Sequence, residues 1–79
     1  MDLAHAFGTA LKKHRKLAGL SQEALSEACE IERTFISMLE RAQRRPSLAM
    51  TFELAKALSI SPSAFVNDVE TLIDDANKA

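Results

Sequence analysis

Residues 33–41 place an unusual set of side chains at helical spacing. Arg33, Thr34, Ser37, Met38 and Arg41 fall on one side of a helical wheel. Phe35, Ile36 and Leu39 fall on the other, with Glu40 beside the apolar edge. The first side carries two guanidiniums, two hydroxyls and a thioether. A solvated helix face would carry more Lys and Glu. Guanidiniums can hold guanine edges or phosphate oxygens through paired N–H donors, and hydroxyls can donate or accept. This mix of donors, acceptors and apolar contact suits a face that enters a groove of DNA. A basic segment, Ala42-Gln43-Arg44-Arg45-Pro46, follows it directly.

Such a face must be held on a scaffold, and the sequence marks one. Helix one is expected over residues 3–18. Leu3, Ala4, Phe7, Leu11 and Ala18 lie on its apolar side, and Lys12, Lys13 and Lys16 lie opposite. Those lysines suit a solvated face at least as well as a nucleic-acid contact. Gly19 ends the helix, as glycine does where a left-handed cap is required. Ser21 is an N-cap for helix two, over Gln22 to about Ala28, with Leu25 and Ala28 inward. Cys29-Glu30-Ile31 forms a turn, and helix three runs from Arg33 to about Arg41. Pro46 blocks continuation. Ser47 caps helix four, to about Leu58, with Leu48, Phe52, Leu54, Ala55 and Leu58 as its apolar positions. Ser61-Pro62 opens helix five, which runs to about Ala76 ahead of a fraying tail. The expected fold is therefore all-α, a five-helix single domain over residues 1–79, with the helix-turn-helix at about 21–41. His14 falls within the apolar side of helix one and reads as a partly buried histidine with a hydrogen-bond partner.

Composition narrows the function. No run of alternating β-branched residues and no Asn-Gly or Asp-Gly turn is present. No apolar run approaches the ~20 residues of a membrane span, and no signal peptide is expected. A single cysteine, Cys29, points to a reducing cytoplasm and reads as a small buried hydrophobe. There is no Ser/His/Asp order, metal-ligand cluster or phosphate-cradling glycine loop, so neither an enzyme nor a cofactor is expected. The net charge is only −1, but it is segregated. Residues 12–45 hold eight Lys/Arg against five Asp/Glu, whereas residues 46–79 hold two against five. Local fields matter more to a polyanion than the total, so the acidic half can face away from phosphates.

Several residues at matching spacing carry a resemblance: Gly8, Leu11, Arg15, Gly19-Leu20-Ser21-Gln22, Leu25, Ile31, Ile36, Glu40-Arg41, Arg45-Pro46-Ser47, Leu54 and Ala57-Leu58. Over about residues 7–66 the chain resembles the lambda-repressor/Cro (XRE) type of helix-turn-helix domain. Residues 33–48 look most like the controller proteins of restriction–modification systems, which are short, dimeric regulators. It departs from the pattern at Glu30 and Ala42, where glycine is usual, and at His14, where an apolar residue is usual. The resemblance implies that Arg15 pairs with Glu40, bracing helix one to helix three. It also implies a recognition helix in the major groove, its N-terminal residues on base edges. Arg33, Thr34, Ser37 and Met38 are then the expected base contacts. Gln22, Arg41, Arg44 and Arg45 are the expected phosphate contacts, with Arg44 a possible base contact.

One such domain reads few base pairs, so a homodimer on a palindromic site of double-stranded DNA is expected. The apolar stripe of helix five is wider than a small core requires. Phe65 is expected inward, with Val69, Leu72 and Ile73 partly at the dimer interface and Val66 beside them. No membrane or small-molecule partner is expected, and control by concentration and dimerisation is favoured over an inducer. An antitoxin-like module that binds a partner protein and regulates its own synthesis is the alternative.

Overall fold

Four of the five helices begin on a side-chain cap. Asp2, Ser21, Ser47 and Ser61 accept from the backbone amides of His5, Ala24, Met50 and Ala64, satisfying donors that the first turn leaves unpaired. The resulting elements are α1 (Leu3–Leu17), α2 (Gln22–Cys29), α3 (Arg33–Glu40), α4 (Leu48–Ala57) and α5 (Pro62–Asn77). The structure is a computed structural model and describes residues 1–78. It contains no strand among them. The all-α, five-helix expectation holds, and the boundaries agree to within a residue.

The helix ends share one device. At the close of α1, α3 and α4 a residue turns left-handed, and the next amide reaches back five residues. Leu20 donates to the Arg15 carbonyl at 3.1 Å, Gln43 to Met38 at 2.8 Å and Ile60 to Ala55 at 3.0 Å. Only the first of these turns uses glycine, Gly19 at φ 72°. Ala42 and Ser59 adopt φ 62° and 58°, and Glu30, closing α2, adopts φ 57°. The missing glycines at 30 and 42 therefore leave the turns intact, at a cost. A left-handed residue with a Cβ is disfavoured by ~1–2 kcal/mol. Glycine in its place adds unfolded-state entropy of ~0.4–1 kcal/mol. Ala42→Gly is expected to stabilise the domain by up to ~1 kcal/mol, read as a higher urea midpoint. An unchanged or lower midpoint would contradict this account of the turn.

The core lies where α1 crosses α3 and α5, and where α4 closes on α2 and α5. Phe65, Leu11, Leu25, Ile36, Leu39 and Leu54 are its largest fully buried side chains. Phe7 meets Phe65 edge to face, centroids 5.2 Å apart. His14 has the partner expected of it. Its Nε2 lies 2.6 Å from Asp68 Oδ2 and its ring centroid 5.6 Å from that of Phe65, tying α1 to α5. Cys29 is half-buried, donates its thiol to the Leu25 carbonyl, and burial pushes its pKa up.

Several expected core positions face outward. Leu3, Leu48 and Phe52 are 58%, 71% and 53% exposed, and Ala18 and Ala28 are exposed. The wheel of α4 has two apolar sides. Thr51, Leu54 and Ala55 take the inward one, leaving Leu48 and Phe52, four residues apart, on the other.

Candidate nucleic-acid interface

The geometry of α3 is set by what lies beneath it. Ile36 and Leu39 are fully buried. On the opposite side Arg33, Thr34 and Arg41 are exposed, and Ser37 and Met38 are half-buried at the edges. The structure thus brings the five residues onto one open face, as their spacing requires.

Gly8 is where α1 passes closest to α3. A Cβ built there would stand 2.5 Å from the Leu39 carbonyl oxygen and 2.8 Å from that of Glu40. The two backbones are thus closer than any side chain allows. Two turns further along α1, Arg15 reaches the same helix end. Its Nε donates to Glu40 Oε2 at 2.7 Å and its Nη2 to Oε1 at 3.1 Å. Its Nη1 donates to the Leu20 carbonyl at 2.9 Å. The side chains of Arg15 and Glu40 are only 10% and 4% exposed. The hydrogen-bonded carboxylate raises the Arg15 pKa above its ordinary value, against the opposing effect of burial. One guanidinium therefore binds α1, the α1–α2 loop and the end of α3 together.

Gln22 joins this brace. Its Nε2 donates to Glu40 Oε1 at 3.1 Å, and the residue is half-buried. The amide that the sequence assigns to a phosphate is already engaged in holding the end of α3. Its backbone still stands at the start of α2, where helix amides are available to an anion.

Beyond α3, Arg41 Nε donates back to the Ser37 carbonyl at 3.3 Å. Arg44 is exposed. Arg45, also exposed, lines a groove of about 290 Å³ between α1, α4 and α5, with Leu3, Pro46, Leu48 and Val66.

Of the three α5 residues expected partly at a dimer interface, the structure moves one inward. Val69 is 5% exposed and belongs to the core, one turn after Phe65 and on the same side of α5. Leu72 and Ile73 are half-buried against that core. The open apolar residue of α5 is Val66, at 49%. The stripe is wide because α5 serves both α1 and α4, so most of it is covered within the chain.

Sequence reading gave Gly8 no structural role. An isolated glycine in a helical stretch was the available signal, since it weakens a helix unless close packing needs it. The capture of Gln22 by Glu40 left no such trace. Among the described residues no group of His, Cys, Asp and Glu could hold a metal ion, and no helix is long and apolar enough to cross a membrane.

The HTH_3 helix-turn-helix family matches residues 11–65, which include α2, α3, α4 and the second half of α1. The chain is 36% identical over 61 residues to the control protein C.SmaI of Serratia marcescens, covering 77% of this chain and 73% of that protein. It is 34% identical over 70 residues to the control protein C.MunI of a Mycoplasma species, covering 87% and 95%. Among solved structures it resembles the restriction–modification controller protein C.Esp1396I, crystallised as a tetramer on its natural 35 base-pair operator. The TM-score is 0.82 at 27% identity, over 90% of this chain and 93% of that one. A shared fold, a shared motif and similarity across most of both chains have one reading: the protein belongs to the HTH_3 helix-turn-helix family of DNA-binding regulators.

Proposed function

We propose that the protein regulates transcription by binding a palindromic operator as a homodimer, with α3 of each protomer in the major groove. One observation carries this reading. The polar face of α3 points outward on a helix that is held rigidly from behind by Gly8 and by the Arg15–Glu40–Gln22 brace. A rigid mount with an exposed donor-rich face is what base reading requires. Arg33, at the N-terminus of α3, is the principal reader and can hold guanine O6 and N7 together. Thr34, Ser37 and Met38 extend the contact along the groove. Arg41, Arg44 and the start of α2 at Gln22 hold phosphates and fix register. The relatives support the same use, since they are control proteins and C.Esp1396I occupies its operator as a tetramer.

Arg33→Ala is expected to cost ~1–3 kcal/mol in specific binding and to relax preference at the base it reads. Selection of preferred DNA from a random pool, with the stoichiometry of the complex measured, tests both parts. An unchanged preference would remove Arg33 from base reading, and one protomer per selected site would remove the homodimer.

A further inference from the structure

We infer that a second copy of this chain docks on the groove lined by Leu3, Leu48 and Val66, with Arg45 of each protomer facing Glu70 and Asp74 of the other. The inference rests on the homodimeric reading above and locates its interface.

Leu3, Leu48 and Val66 are 58%, 71% and 49% exposed, yet they come from three helices and meet around one groove. Scattered surface leucines need no explanation, but apolar side chains gathered around a concavity mark an interaction surface. The groove continues along α5, where Leu3 and Val66 again line it beside Glu70 and Asp74. It thus has a basic end at Arg45, an apolar middle and an acidic end. The ion pairs among the described residues join Asp2, His5, Lys13, His14, Asp68, Arg15, Glu40, Asp75 and Lys78. Arg45, Glu70 and Asp74 are in none of them.

This order of charges selects the occupant. In a twofold interface residue i meets j while j meets i. Rotating a second copy onto the groove sets its acidic end against the basic end of the first, and apolar middle against apolar middle. A surface for an unrelated partner would have no need to complement itself. The groove also adjoins the loop that follows α3, so a partner seated there fixes one recognition helix relative to the other.

Self-association of the full chain, measured by sedimentation over a concentration series and again on selected DNA, tests the inference. Val66→Asp and Arg45→Glu are each expected to weaken self-association at least about tenfold, with thermal unfolding close to that of the unmodified chain because both sites are exposed. Glu70→Lys with Asp74→Lys should weaken it similarly. Combining these with Arg45→Glu should restore it to within about threefold, since the reversed charges again oppose. If the chain dimerises but Val66→Asp and Arg45→Glu dimerise equally well, this face is wrong while the homodimeric reading stands. If swapping all three charges gives no recovery, the ion pairing is refuted even where a single variant weakens association. If the unmodified chain stays monomeric at every concentration and binds DNA as one protomer, both inferences fail.

Discussion

Gly8→Ala is expected to lower the thermal midpoint of the domain by about 8 °C or more, since a loss of ~2 kcal/mol shifts a chain of this size by ~4–8 °C per kcal/mol. The reason lies in what the new methyl would meet. At 2.5 and 2.8 Å from two carbonyl oxygens it would overlap backbone, and no flexible side chain is there to swing aside. The Leu39 carbonyl accepts from the Ala42 amide in the closing turn of α3, and both oxygens belong to backbone, so relief requires moving one helix off the other. Overpacking of this kind costs ~1–3 kcal/mol or more, and alanine recovers at most ~1 kcal/mol through its better helix propensity. The upper part of that range leaves the net loss near 2 kcal/mol. A domain of this length has only ~4–12 kcal/mol of stability in all. Thr9→Ala, on the exposed neighbour, is the control and should leave the midpoint nearly unchanged. A midpoint for Gly8→Ala within two degrees of the unmodified chain would show that the close approach of α1 to α3 is dispensable. Beyond stability, separating these helices lengthens the Arg15–Glu40 bridge, so operator affinity should fall even where the variant remains folded.

The second large effect belongs to that bridge. Glu40→Ala is expected to cost ~3–5 kcal/mol, because removing one partner of a buried pair leaves the other charge without compensation. Arg15 would retain the Leu20 carbonyl, but a neutral acceptor cannot offset a guanidinium that is 10% exposed. Gln22 would lose its acceptor in the same step. Arg15→Met is expected to be comparably harmful, since it strands a carboxylate that is 4% exposed. The informative variant is the double one. Arg15→Met with Glu40→Leu removes both charges and both desolvation penalties, so it should recover most of the loss. Urea unfolding of the two single variants and the double variant closes the cycle. A double variant as unstable as either single one would mean that the bridge holds the fold by shape and not by charge compensation. The double variant should still bind DNA more weakly than the unmodified chain. Two apolar side chains can fill the space, but they cannot fix the angle of α3 through directed hydrogen bonds, nor hold Gln22 at the start of α2.

These two effects also show where reading the sequence succeeds. Arg15 and Glu40 were legible because the family resemblance named the pairing, and Glu40 fell beside the apolar edge of its wheel, where an unpaired charge is costly. Ser21, Ser47 and Ser61 were legible because capping is local: a hydroxyl bonds an amide three residues on, whatever the rest of the chain does. The outward face of α3 was legible for the same kind of reason, since its alternative face carries Ile36 and Leu39. Leu48 and Val69 were misread because both are apolar residues on helices that are apolar on more than one side. Periodicity identifies such sides but does not say which neighbour covers each.

The family resemblance supplied the Arg15–Glu40 pair; by itself the sequence determined the five helices, the caps at Ser21, Ser47 and Ser61, and the composition of the α3 face. All of these follow from interactions within a few residues or from strong polar preferences. Only the tertiary structure decided that Gly8 is the contact point of α1 with α3, that Gln22 serves Glu40, that Val69 is core, and that Leu3, Leu48 and Val66 meet in the open. Those facts depend on how far apart and at what angle whole helices cross. That geometry is set by many small packing contacts at once, and no single stretch of residues encodes it.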